Sequence, residues 1–181
     1  MRFEPIAEIA GAFRVWREPF TDARGSFDTS FAVEEFAAAG IDFAVAQAAT
    51  STNPRTGTLR GLHYQLPPAA QAKLVWASAG RLFDVMVDLR RGSPTEGAVF
   101  TAELAAGDGL LLYLPAGLAH GYQTLAPDTA MTYLMGAPYR AALARGVRWD
   151  CPVLGIRWPL PEAPLLSPRD RDLPDVTACE R

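Results

Sequence analysis

The chain's only two histidines, His63 and His120, lie far apart in the sequence. Imidazole can ligate zinc, iron or copper, or carry a proton near neutral pH. Metal-binding barrels commonly use two or three histidines with a carboxylate. Here the residue two places after His63 is Gln65, so a His-x-His pair is missing, and only a two-histidine site completed by a carboxylate stays open. His63 sits in the run TLRGLHYQ, 58–65, with Arg60 before it and Lys73 after it. In a regular strand Leu59, Gly61, His63 and Gln65 would face one way and Arg60 and Leu62 the other. Arg60 therefore joins His63 only if Gly61 bends the chain. A half-buried sheet histidine satisfied by a hydrogen bond accounts equally well for His63. Tyr133, between Met131 and Met135 on one strand face, reads as a core tyrosine with its hydroxyl tied to a partner. Arg24 falls in the turn-like segment TDARGSF, 21–27, where a solvated arginine suffices. No spacing suggests a Ser-His-Asp triad, and neither the G-x-x-x-x-G-K-[ST] loop nor the G-x-G-x-x-G fingerprint occurs. Cofactor chemistry has no visible foothold in these residues, and hydrolysis has no positive support.

Any such site must be positioned by one core, since 181 residues are close to a single domain at about 150 residues each. We therefore expect one domain over 1–181. Apolar residues at 49% and charged residues at 20% are an ordinary globular mix, so the chain should fold. With 17 Lys plus Arg against 20 Asp plus Glu, no global basic field exists to hold a nucleic acid, and any anion must be held locally. Cys151 and Cys179 form neither a Cys-x-x-Cys pair nor a disulfide framework, as in a reducing compartment such as the cytoplasm. The start, MRFEP, is unlike a secretion signal, and no apolar run approaches the roughly 20 residues of a membrane span.

The pattern predicts a helix over 32–39, where Val33, Phe36 and Ala37 fall at helical spacing and Gly40 follows as a stop. The run AKLVWASAGRLFDVMVDLR, 72–90, predicts a β-hairpin around Ala79-Gly80. In its second strand Phe83, Val85, Val87 and Leu89 share one face and Asp84, Met86 and Asp88 the other. Further strands are predicted over 98–104, 109–114, 119–125 and 130–135, separated by Gly, Pro and Asp signals. The prolines at 159, 161, 164, 168 and 174 forbid long regular elements and predict an extended tail lying over the body. The whole reads as mainly β, a jelly-roll barrel of the cupin type with short peripheral helices.

Several segments, in order, resemble the dTDP-4-dehydrorhamnose 3,5-epimerase family of metal-free, cupin-type nucleotide-sugar epimerases. They are DARGSF at 22–27, GTLRGLHYQ at 57–65, AKLVWASAGRLFDVMVDLRRGSPTEG at 72–97, YLPAGLAHGYQTL at 113–125, TYLM at 132–135, RGVRWDCPVLGIRWP at 145–159 and LSPRD at 166–170. The resemblance implies acid–base epimerisation at C3, and with it C5, of a nucleoside-diphosphate 4-keto-6-deoxy sugar, with dTDP-4-dehydro-6-deoxy-D-glucose as the default substrate. It also implies a homodimer and no cofactor or metal.

A C–H beside a ketone is acidic because its enolate places charge on oxygen, so such a site needs a base at carbon and a donor at that oxygen. By the resemblance His63 matches the base, Asp170 the carboxylate that orients it, Tyr133 the acid on the opposite face of the ring, and Lys73 the group beside the oxyanion. His120 matches a contact to the sugar or enolate region, and strand parity lets Asp84 hold Lys73 or His120. Arg24, Arg60 and Arg169 match the diphosphate contacts, for which guanidinium offers paired donors in a plane. Tyr139 matches an aromatic stacked on the base, Gln47 the start of a substrate-contacting segment, and Phe27 the lining of the same groove. The chain departs from the family at Thr29, where Glu is typical, at Ala49 for Asn, at Pro138 for Tyr and at Ala144 for Glu. The approach QAATSTNPRTGTLRG is one residue longer than usual. These changes bear on the substrate more than on the reaction. A sugar 3,4-ketoisomerase and a non-catalytic sugar-nucleotide-binding cupin stay open as alternatives.

Overall fold

A computed structural model describes residues 1–162 and 164–181. Thirteen strands dominate the described residues. Six of them, β1 (Arg2–Pro5), β2 (Phe13–Trp16), β10 (Leu110–Leu114), β7 (Lys73–Ala79), β12 (Thr129–Met135) and β5 (Gln47–Asn53), form one antiparallel sheet in that spatial order. A second antiparallel sheet runs β13 (Ala144–Gly146), β6 (Leu59–Gln65), β11 (Leu118–Thr124), β8 (Arg81–Asp88) and β9 (Val99–Ala105). A separate ribbon pairs β3 (Phe20–Asp22) with β4 (Gly25–Phe27). This is the expected jelly-roll barrel. No described helix is long and apolar enough to cross a membrane.

Three apolar clusters follow from strand alternation. In β10 every residue is buried because Leu110, Leu112 and Leu114 point between the sheets while Leu111 and Tyr113 point to the outer face. Leu82 and Met86 of β8, Phe100 and Leu104 of β9 and Met131 of β12 join the inner cluster. Outside the six-stranded sheet, Phe36 of α1 (Val33–Ala38) is fully buried against Phe3, Phe31, Phe43 and Tyr113. That helix has no side-chain N-cap. Glu34 and Glu35 in its first turn suit the positive end of its dipole, and Glu35 also holds the Met1 ammonium. Outside the five-stranded sheet, Val85, Val87 and Leu89 meet Trp158, Cys151 and Val176 of the tail, which lies over the body as its prolines imply.

The segment 72–90 corrects the expected hairpin. Its two strands exist, but β7 pairs with β10 and β12 whereas β8 pairs with β9 and β11. Gly80 is a corner that hands the chain from one sheet to the other. It has φ +66°, and a Cβ there would lie 2.3 Å from Thr129 Oγ1 and 2.9 Å from Thr129 Cα. Period-two alternation is the same for a hairpin and for a strand that changes sheets, so the pattern alone could not separate them.

The bend at Gly61 is real. Across β6 and β11, His63 faces His120 while Arg60 faces Tyr122, so one strand carries an extra residue. Leu59, Leu62 and Tyr64 consequently turn outward, and Arg60 and His63 come to the same inner cavity. Gly61 has φ +121°, and a Cβ on it would lie 2.6 Å from Gly121 Cα and 2.8 Å from the His120 carbonyl oxygen. Both obstacles are backbone and cannot swing aside. Gly61→Ala is expected to cost about 3 kcal/mol or more. Gly92→Ala, also at positive φ but with nothing within 4 Å, should cost only about 1–2 kcal/mol. Urea unfolding of the two variants checks the difference.

Candidate active site

A cavity of about 580 Å³ opens between the sheets. It is lined by His63 and Arg60 of β6, Lys73 of β7, His120 of β11, Tyr133 of β12, and Arg169 and Asp170 of the short helix α2 (Pro168–Arg171). Seven of the eleven side chains expected to act therefore share one cavity, including all four expected to be catalytic. Most of their strands contribute alternate, inward residues, and the bend at Gly61 supplies the pair that simple parity would have split.

The tail delivers Asp170. Leu59 N–H donates to the Leu165 carbonyl (3.0 Å) and Leu165 N–H to that of Gly57 (2.9 Å), fastening the tail beside β6. Ser167 then caps α2, its Oγ accepting from Asp170 N–H at 3.1 Å, with Pro168 at the first helical position. Asp170 Oδ1 lies 2.6 Å from His63 Nε2. Burial pushes the Asp170 carboxyl up, but His63, the Gly61 amide and the Ser167 hydroxyl together outweigh it and hold the group below the usual carboxylate value. Asp170 is thus an ionised acceptor facing Nε2–H of His63, a bond that leaves Nδ1 as the ring nitrogen turned away from the carboxylate.

Lys73 is the chain's only lysine. It is 7% exposed and donates to the His63 carbonyl at 3.2 Å. Burial lowers its ammonium to about 8, with the nearby Asp84 charge opposing the fall. Asp84, fully buried, accepts at Oδ2 from His120 Nε2 at 2.8 Å, while its Oδ1 has no hydrogen-bond partner among the described residues. The parity expectation is met in part: the hydrogen bond goes to His120, and Lys73 is reached through space. The Tyr133 ring stands edge-on to His120, with centroids 6.0 Å apart. Burial raises the Tyr133 phenol well above its ordinary value, Tyr122 and Asp84 add to the rise, and the Ser51 hydroxyl pulls the other way. The phenol is a protonated group at neutral pH. Among the described residues no three His, Cys, Asp or Glu side chains cluster as a metal site would require.

Tyr139 and Gln47 stand at the edge of this arrangement. Tyr139 N–H donates to Gln47 Oε1 at 3.0 Å and Arg169 Nη1 to the Tyr139 hydroxyl at 3.3 Å. Gln65 carries this loop from beneath, accepting from Arg140 N–H at 2.6 Å and donating to the Pro138 carbonyl at 3.2 Å. Arg24 and Phe27 are not brought to the cavity by this chain's own fold. They line a separate hollow of about 260 Å³ in the β3–β4 ribbon, where Arg24 pairs with Asp22 and Phe27 is 75% exposed. The sequence reading missed Ser51, Tyr122 and Gln71 in the lining. Extending the alternation of β5 from Gln47 through Ala49 would have reached Ser51 and Asn53.

A jelly-roll barrel that gathers a partly buried phenol, a buried lysine and a carboxylate-held imidazole in one cavity defines a cupin-type candidate site for a small molecule. Comparison with known proteins gives it a lineage. The family model described as dTDP-4-dehydrorhamnose 3,5-epimerase matches residues 7–178, and the chain belongs to that family. It is 45% identical to a dTDP-4-dehydrorhamnose 3,5-epimerase of Sinorhizobium fredii over 99% of this chain and 91% of that protein. It is 39% identical to a dTDP-4-dehydrorhamnose 3-epimerase of Streptomyces niveus over 95% and 82%. The structure of dTDP-6-deoxy-D-glucose-3,5-epimerase from Legionella pneumophila in complex with dTDP-4-keto-L-rhamnose superposes with a TM-score of 0.92 at 31% identity, covering 99% of this chain and 94% of that one.

The lysine makes stability depend on pH. Its value falls from 10.5 to about 8 on folding, so between those limits the unfolded chain binds more protons and stability must rise with pH. The rise from this group is at most roughly 3 kcal/mol. Denaturant unfolding from pH 7.5 to 10.5 should show it in the parent chain and not in Lys73→Met.

Proposed function

We propose that the chain inverts C3, and with it C5, of dTDP-4-dehydro-6-deoxy-D-glucose by proton transfer through an enolate. The observation that carries the mechanism is the 2.6 Å contact of His63 Nε2 with Asp170, in the same cavity as Lys73 and Tyr133. The free Nδ1 lone pair of His63 takes the proton from carbon. The C–H electron pair becomes the carbon–carbon double bond and the carbonyl pair moves onto oxygen, where Lys73, protonated below about pH 8, receives the charge. Tyr133 then gives its hydroxyl proton to the opposite face as the carbonyl re-forms. Exchange with solvent returns His63 to its neutral form and Tyr133 to its protonated one. His120, fixed by Asp84, contacts the sugar. The same cycle at the second carbon completes the 3,5 reaction.

Arg60 and Arg169 hold the diphosphate, and Tyr139 with Gln47 holds the nucleoside end. Arg24 and Phe27 act in a homodimer by reaching the partner's cavity. In support, the β3–β4 ribbon pairs with neither sheet, and Phe20 and Phe27 are 69% and 75% exposed. Inversion at C3 alone is the second reading, favoured by the 39% identity to the Streptomyces niveus 3-epimerase.

Incubation with dTDP-4-keto-6-deoxyglucose in deuterated water, monitored by NMR, tests the scheme. Deuterium at C3 and C5 with inversion is expected. Deuterium at C3 alone indicates a mono-epimerase, a relocated carbonyl a ketoisomerase, and the absence of exchange a binding protein. His63→Ala should lower exchange by about 10²–10⁴. Tyr133→Phe should still exchange but fail to invert. Normal turnover by both variants would overturn the assigned roles.

A further inference from the structure

Asn53 ends β5 and is 1% exposed, although a buried amide costs stability unless its donors and its acceptor are engaged. Three neighbours, drawn from both sheets, engage it. The Thr129 carbonyl on β12 lies 3.1 Å from Nδ2 and can only accept. Arg60 Nε on β6 lies 2.8 Å from Oδ1 and can only donate. An acceptor on one side and a donor on the other leave the amide a single orientation, and its second Nδ2 hydrogen goes to the Tyr122 oxygen on β11 at 3.1 Å. The Tyr122 hydroxyl is 2.6 Å from Ser51 Oγ and 3.4 Å from Asn53 Oδ1, so it leaves that oxygen to Arg60. The amide is a strut between the two sheets, and its free end is a carbonyl turned to a guanidinium.

Arg60 lines the cavity and is exposed, and the bond to Asn53 is its one side-chain hydrogen bond among the described residues. An exposed arginine without such a bond would sample many rotamers. Held at Nε, the guanidinium keeps its plane and leaves the Nη1–Nη2 edge, with its paired N–H groups, as the one available to an anion. Arg169 is the contrast. Its Nη1 donates at 3.3 Å to the hydroxyl of Tyr139, which is itself 51% exposed, so of the two cavity arginines only Arg60 is fixed by a buried group. We propose that Asn53 is a positioning residue that sets this edge of Arg60 for the diphosphate before the nucleotide arrives. The role rests on the reading of Arg60 as a diphosphate contact under the proposed function. Asn53 does not line the cavity, so it acts through Arg60. Its contribution is to remove the cost of ordering a flexible side chain on binding, and the chemical step is untouched.

Calorimetric binding of dTDP, which involves no reaction, reads the effect. Asn53→Ala should weaken dTDP by about 3- to 10-fold, the cost of ordering one long side chain. Thymidine, which carries no phosphate, should bind parent and variant within about twofold of each other. In an Arg60→Ala background the same substitution should change dTDP affinity by less than about twofold, because Asn53 acts only through Arg60. With dTDP-4-keto-6-deoxyglucose, KM should rise by the factor seen for dTDP while kcat holds. Equal losses for dTDP and thymidine, a full loss persisting in the Arg60→Ala background, or no loss at all overturns the inference. The parent chain supplies a check free of any packing defect in the variant. Its Arg60 Nε–H resonance, assigned by its absence from Arg60→Lys, should be protected from solvent exchange both before and after dTDP is added. Exchange as fast as that of exposed arginines in the free protein also sinks the strut. Failure of the parent to bind dTDP removes the diphosphate role of Arg60 and with it the proposed function, whereas undiminished dTDP binding by Asn53→Ala removes only the role of Asn53.

Discussion

Two glycines in contact set the terms for the cavity. Gly61 on β6 and Gly121 on β11 approach so closely that a methyl group on either would strike the other strand's backbone, at 2.6 Å from Gly121 Cα in one case and 2.7 Å from the Arg60 carbonyl oxygen in the other. That approach admits an extra residue into β6 and rotates the remainder of the strand by one face. Without it, the strand would point a guanidinium and an imidazole to opposite sides of the sheet. The Gly61 amide is also among the donors that keep Asp170 ionised, so the same bend shapes the carboxylate's surroundings as well as the direction of its partner.

The interior assembled around this bend carries more charge than a sandwich core usually tolerates. Asp84 and Lys73 are both buried, and His120 lies between the sheets with them. Asp84 satisfies one oxygen through His120 and leaves the other without a donor among the described residues. Burying an ion without full hydrogen bonding costs stability, which the three surrounding apolar clusters must offset. The arrangement makes sense as a polar pocket held open by an apolar frame. The long side chains of β10 and the aromatic packing around Phe36 stabilise the sheet that carries Lys73 and Tyr133, while the proline-rich tail covers the sheet that carries His63 and His120.

Much of this was legible in the residues. Alternation with turn signals located β8 to β12 to within a residue or two, and the helix at 33–38 followed from Phe36 and the Gly40 stop. The sequence left the bend at Gly61 as a condition for uniting Arg60 with His63, and the register shift between β6 and β11 meets that condition. Alternation could not show partnership. Strands β7 and β8 look like a hairpin, and only the crowding of Gly80 against Thr129 reveals a corner between sheets. The strands before residue 50 escaped notice because they are short and partly exposed, so their sequences lack a marked apolar face. Asp170 came through resemblance alone, since its nearness to His63 depends on a tail fastened by backbone bonds at Leu165. Arg24 and Phe27 lie in the β3–β4 ribbon away from the cavity, and a role in a second subunit's site, as proposed above, would leave no mark on the strand patterns of one chain.

The singular lysine has a practical corollary. Sixteen of the seventeen basic side chains are arginines, and the Met1 ammonium is engaged by Glu35, so the outer surface offers amine reagents almost nothing. Acylating agents or reductive methylation would find one side-chain amine, at the floor of the cavity. A labelled methyl group placed there would report occupancy from a single resonance, and coupling the protein to a support through lysine would block the cavity it was meant to display.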